Sequence, residues 1–169
     1  MKIDVDQNVK GKFRFNFQKN IEIILGDIPS ECLAGLHKIE VIGRSYDKKC
    51  KDSFGFYCGK QASEDKLPKI VLCVESILQD MPPWIFIVIS FLPRYLIAKT
   101  LFHEVGHHCQ HMRHGVSGDY KEIDAKNFSR KLVRKFIRRE FLWLWIILWP
   151  VIIVKRMFNK RKQIPVANV

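Results

Sequence analysis

Residues 94–115 read RYLIAKTLFHEVGHHCQHMRHG, and the organisation of the chain follows from this stretch. Tyr95, Leu96, Ile97, Ala98, Leu101 and Phe102 recur with helical spacing, and no proline interrupts them before Gly115. The stretch is therefore predicted to be one helix. Inside it, His103-Glu104-Val105-Gly106-His107 forms an H-E-x-x-H sequence. Residues four apart lie one turn apart on the same helix face, so His103 and His107 can direct two imidazole nitrogens at one metal ion. Glu104 is rotated by about 100° from His103, beside such an ion without ligating it, where a carboxylate can accept a proton from an activated water. With six His and eight Glu in the chain, chance alone would give the motif about once in a hundred such sequences.

A metal held by two histidines needs a third protein ligand, and the next segment offers carboxylates. Gly118 closes a turn before a second helix from about Asp119, on which Ala125, Phe128, Ser129, Leu132, Val133 and Phe136 form an inward stripe. Glu122 falls three residues before Ala125, on the same face. A carboxylate turned inward is costly unless it is compensated, and a His2Glu zinc site supplies the compensation. Asp124, off the stripe, is the main rival, and Asp119 lies at the helix mouth. His111 sits about 12 Å along the axis from His103 and cannot share its metal. Gln110 and Arg113 stand where the extended metzincin pattern needs Gly and His, which excludes that group. His108, His111 and His114 are expected to be solvated or hydrogen-bonded at the helix end. Gly106 costs about 1 kcal/mol in a helix interior, which close approach of another backbone would justify.

Upstream, the polar and aromatic alternation of Lys12-Phe13-Arg14-Phe15-Asn16-Phe17 predicts a half-buried strand. A short helix is expected over Glu31 to His37, with further strands at Lys38 to Ile42, Phe54 to Cys58 and Ile70 to Val74. A short helix begins near Glu75 and ends at Pro82-Pro83, and the apolar run Trp84 to Leu92 reads as a buried helix. The fold class is α+β: a sheet in the N-terminal half, then the motif helix and the ligand helix.

Composition limits what the chain can be. Of 169 residues, 47% are hydrophobic and 27% charged, with nine Gly and seven Pro, which excludes collagen-like and disordered classes. Five cysteines without a C-x-x-C pair suggest neither a disulfide framework nor a zinc ribbon, and fit a reducing compartment. Met1 to Phe17 has no apolar run of the kind a secretory signal needs, so a cytoplasmic location is expected. The net charge is +12, and Lys126 to Lys162 holds twelve basic residues against Glu140 alone, or +11 of it. This basic stretch surrounds Phe141 to Val154, fourteen apolar residues interrupted by Pro150. At 1.5 Å per residue the run reaches about 21 Å, short of a bilayer core. Its basic flanks and Trp143, Trp145 and Trp149 suit attachment to an anionic membrane surface at the cytoplasmic face, ahead of a place in the core or nucleic-acid binding. The division expected is a domain over 1–140 and an apolar, basic tail over 141–169.

Together, His103-Glu104-Val105-Gly106-His107 and Glu122-x-x-Ala125-x-x-Phe128 resemble zincin-fold metallopeptidases of the gluzincin type, and most closely small cytosolic members such as the ImmA/IrrE family. The resemblance spans roughly Tyr95 to Val133. Lys126 stands where that family commonly has Asn, and Ser129 where it commonly has Ala. It implies zinc bound by His103, His107 and Glu122, with Glu104 as general base in hydrolysis of a protein or peptide substrate. Tyr120 and His111 are candidates for a further donor to the oxyanion. A non-catalytic zinc-binding interaction protein, attached to a membrane surface or nucleic acid, is the alternative.

Overall fold

The computed structural model describes residues 1–13, 15–45, 53–59, 67–82, 91–114 and 122–140. Two compact units divide the chain, Met1–Lys135 and Phe136–Val169. The first holds the sheet and every residue of the motif. The expected tail at 141–169, positions 84–90 of the apolar run, and Asp119 and Tyr120 lie outside the described residues. Among the described residues no helix is long and apolar enough to cross a membrane.

Four strands, β1 (Lys2–Val5), β2 (Lys38–Ile42), β3 (Gly55–Cys58) and β4 (Lys69–Cys73), form one mixed sheet in the order β1-β2-β4-β3. β1 with β2 and β2 with β4 are parallel, and β3 runs antiparallel to β4 at the edge. The two central strands are the most apolar, as strands covered by neighbours on both sides must be. Ile39 pairs with Ile70 and Val41 with Leu72 in register, and all four are fully buried. Like charges also stand opposite each other, Lys38 beside Lys69 and Asp4 beside Glu40. Pairs between neighbouring rows offset this repulsion: Lys38 meets Glu40 at 2.6 Å and Asp4 at 3.1 Å, and Lys69 meets Glu40 at 3.0 Å. Burial raises the Glu40 carboxyl, but the two lysines outweigh it and hold it below the ordinary value.

The strands at β2, β3 and β4 follow the sequence expectation to within a residue at each end. The N-terminal segment does not. Lys12 ends α1 (Gln7–Lys12) and Phe17 begins α2 (Phe17–Leu25), so no described residue between them is strand. Asn16 decides this: its side-chain oxygen accepts the Lys19 amide at 3.0 Å and caps α2. Phe17, Asn20, Ile21 and Ile24 then recur at helical spacing and are buried. The alternating aromatics instead close the α1–α2 corner, Phe13 and Phe15 each meeting Phe17 edge to face. The helix expected over Glu31 to His37 is the shorter α3 (Ser30–Leu33), because Gly35 takes a left-handed φ of 75° and turns the chain into β2. α4 (Val74–Leu78) follows β4 directly.

The motif helix is α5 (Phe91–His114), with Pro93 in its first turn, where a missing amide costs nothing. Its stripe of Ile97, Ala98, Leu101, Phe102 and Val105 is completely buried. α5 packs on β3 and β4 and touches α2, α3 and α4. Cys109 on α5 meets Cys32 on α3, their thiol sulfurs 2.9 Å apart. The second helix, α6, covers residues 122–140. Its expected stripe is present, with Ala125, Ser129 and Leu132 buried and Phe128 and Val133 half-buried.

Candidate metal centre

Two neighbouring faces of α5 build the site. One carries His103 and His107, each about a quarter exposed, toward the start of α6. Their Nε2 atoms are 3.1 Å apart, and Glu122 brings Oε1 to 3.5 Å from His103 Nε2 and Oε2 to 3.4 Å from His107 Nε2. One ligand atom from each residue lies within 4.8 Å of the others, so the three could hold a metal ion. Two ligands at 2.0–2.1 Å from a tetrahedral ion stand about 3.3–3.4 Å apart, and these separations bracket that value. Two neutral imidazoles and one carboxylate also form a donor set suited to zinc. Asp124 is exposed and takes no part in the group.

Glu122 reaches the histidines because α5 and α6 nearly touch at that level. A Cβ added at Gly106 would stand 3.0 Å from the Ala125 Cα and 3.2 Å from its Cβ. The close backbone approach expected of Gly106 is therefore present, and Ala125 is its partner. One turn further along α6, the buried Ser129 hydroxyl donates to the Lys99 carbonyl at 3.2 Å. Helix-interior glycine and buried serine are both poor helix formers, and here each is used to bring the two helices together.

The second face of α5 meets the edge strand. Glu104 is 6% exposed, and its carboxylate accepts the backbone N–H of Tyr57 on β3. Burial pushes its carboxyl up to about 7, the Tyr57 amide opposes the rise, and the charge of Glu122 adds to it. Glu122 differs: half exposed, it is held below the ordinary carboxylate range because Lys126, 3.2 Å away, and the two imidazoles outweigh its slight burial. Two neighbouring carboxyls are thus driven in opposite directions, Glu104 upward by burial and Glu122 downward by Lys126 and the two imidazoles.

Tyr57 is the residue of this site that sequence reading missed. Besides its amide on Glu104, its hydroxyl lies 3.2 Å from His108 Nδ1, and its ring packs against His108 and His111. His108 is completely buried, which corrects the solvated alternative for it, and its Nε2–H donates to the Ala34 carbonyl at 2.9 Å. That bond leaves Nδ1 as acceptor for the Tyr57 hydroxyl, and burial keeps the ring neutral by lowering its pKa. The only advance signal for Tyr57 was its place in a strand, and strand order is not a local property. His111 is exposed and lines the cleft beside Tyr57.

The site opens into a cleft with two arms that share Gly55, His103 and Glu104. The smaller, about 450 Å³, runs past Phe56, Tyr57, His107 and His111. The larger, about 950 Å³, runs between α4, α5 and α6. No protein-family model, no curated protein and no solved structure matches this chain.

Proposed function

We propose that the protein is a zinc-dependent metallopeptidase of zincin-like type, hydrolysing a peptide bond in a protein or peptide substrate. The observation that carries this reading is the convergence of His103, His107 and Glu122 beside a buried carboxylate that is not one of the three. A purely structural metal site has no use for Glu104. In this reading His103, His107 and Glu122 hold zinc, which when bound supplies Lewis acidity for a peptide carbonyl and for water. Glu104 is the general base: a carboxyl poised near neutrality accepts a proton from the attacking water and returns it to the departing amine nitrogen. The Tyr57 amide aims the Glu104 oxygen and favours its charged form against the effect of burial. β3 forms the edge of the sheet at the cleft, a position where an extended substrate segment can be laid alongside a strand.

The test is metal analysis and peptide hydrolysis on the purified protein. We expect about one zinc per chain, with Glu104→Gln retaining zinc and losing hydrolysis by at least about a hundredfold, the scale of a lost general base. Zinc without hydrolysis in the wild type would put a structural metal site in place of the enzyme. For the segment after Glu140 we propose attachment to the cytoplasmic membrane face, from its apolar run and basic flanks. Sedimentation with vesicles checks it: binding to anionic lipid, weakened by about 0.5 M salt and lost on truncation after Glu140, is the expected result.

A further inference from the structure

The two arms of the cleft differ in charge. The larger arm is lined by Lys99, Lys126, Arg130 and Arg134, and among the described residues its carboxylates besides Glu104 and Glu122 reduce to Asp80. Among the described residues, the smaller arm is lined by no lysine or arginine. Three of the four cations stand on one face of α6, at intervals of four residues counted from Glu122. Lys126 is paired with Glu122, whereas Lys99, Arg130 and Arg134 form no ion pair among the described residues and are exposed. From Glu122 to Arg134 the helix rises about 18 Å, the length of five or six residues of extended chain.

We infer that the larger arm recognises acidic peptide segments, so that the enzyme prefers substrates with carboxylates on one side of the cleaved bond and not on the other. This rests on the peptidase reading and deepens it. A row of cations beginning at a metal ligand and continuing along a groove is placed to meet side chains of a chain held at that metal. Arg130 and Arg134 supply planar guanidinium groups able to take a carboxylate through two N–H bonds. Part of the basic charge that dominates the C-terminal sequence thus faces the cleft.

The experiment uses quenched fluorescent peptides with one common cleavable core, flanked by four Glu on the N-terminal side, four Glu on the C-terminal side, four Gln, or four Lys. The zinc-loaded protein should cleave one of the two Glu peptides with a kcat/KM about tenfold above the Gln peptide, and the other with little gain. The advantage should shrink in about 0.5 M salt. Arg130→Glu with Arg134→Glu should reverse the preference toward Lys, and the milder Arg130→Gln with Arg134→Gln should erase it, with zinc content retained in both. Fluorescence anisotropy of the same labelled peptides on Glu104→Gln reads recognition without hydrolysis. If no peptide is cleaved and the acidic one still binds through Arg130 and Arg134, the peptidase reading fails and the acidic selectivity stands. If cleavage proceeds with no charge preference, or with equal preference on both sides, the inference is overturned and the peptidase stands. Tighter binding of a single-stranded DNA oligonucleotide, or of phosphatidylserine vesicles, to the same two arginines would also overturn it.

Discussion

The two helices that meet at the metal group contribute in different ways. α5 is held on nearly every side: its apolar stripe is fully buried, Glu104 is tied to β3, and His108 is tied to both Ala34 and Tyr57. α6 contributes Glu122 from a half-exposed position, beside a row of exposed cations. The buried helix carries the two histidines and Glu104, whose mutual geometry the proposed reaction needs. The exposed helix completes the candidate metal group and lines the larger arm of the cleft. Placing the less forgiving functions on the more buried element follows from how packing limits side-chain motion.

The largest expected effect tests whether the helices share one centre. Removing a ligand from either side, by His103→Ala, His107→Ala or Glu122→Ala, should abolish stoichiometric zinc, whereas Asp124→Ala should keep it. Metal analysis checks this, and zinc lost in Asp124→Ala but kept in Glu122→Ala would assign the third ligand elsewhere. A smaller effect is expected from forcing the helices apart. Gly106→Val puts a branched side chain where even a Cβ meets Ala125 at 3.0 Å, so denaturation should show a loss of about 1–3 kcal/mol, with weakened zinc binding. Unchanged stability would mean that the helices do not need this approach. The smallest effect separates the two groups of Tyr57. Tyr57→Phe removes the hydroxyl bond to His108 and should cost about 1 kcal/mol in stability, but it leaves the amide on Glu104, so hydrolysis should stay within a few-fold of wild type. A fall near that of Glu104→Gln would show that the hydroxyl, and not the amide, serves the reaction.

Legibility varied with the range of the interaction. His103 and His107 were readable because four residues of helix suffice to bring two imidazoles together, and Glu122 because it falls three residues before the buried Ala125, although it lies half exposed where its place in the stripe implied an inward carboxylate. Gly106 was readable as a point of close approach, since nothing else justifies glycine there. The α1–α2 corner was misread because three aromatics alternating with polar residues mimic a strand, while the deciding feature was one capping bond from Asn16. β1 went unnoticed because four residues at a chain end carry too little pattern, and pairing with β2 supplies what they lack. His108 looked like one of several histidines at a helix end until α3 and β3 were found to cover it.

By itself the sequence determined the α+β order, three of the four strands, the motif helix, the histidine pair and the helix that answers it, because each is written in periodicity over one or two turns or a few strand residues. Only the tertiary structure decided that β3 is the edge strand, that its Tyr57 amide holds Glu104, that Ala125 fills the space left by Gly106, and that the cations of α6 face one arm of the cleft while the other has no lysine or arginine among the described residues. These are relations between elements far apart in the chain. Sheet order, burial and helix contact set them, and no local pattern encodes which element becomes whose neighbour.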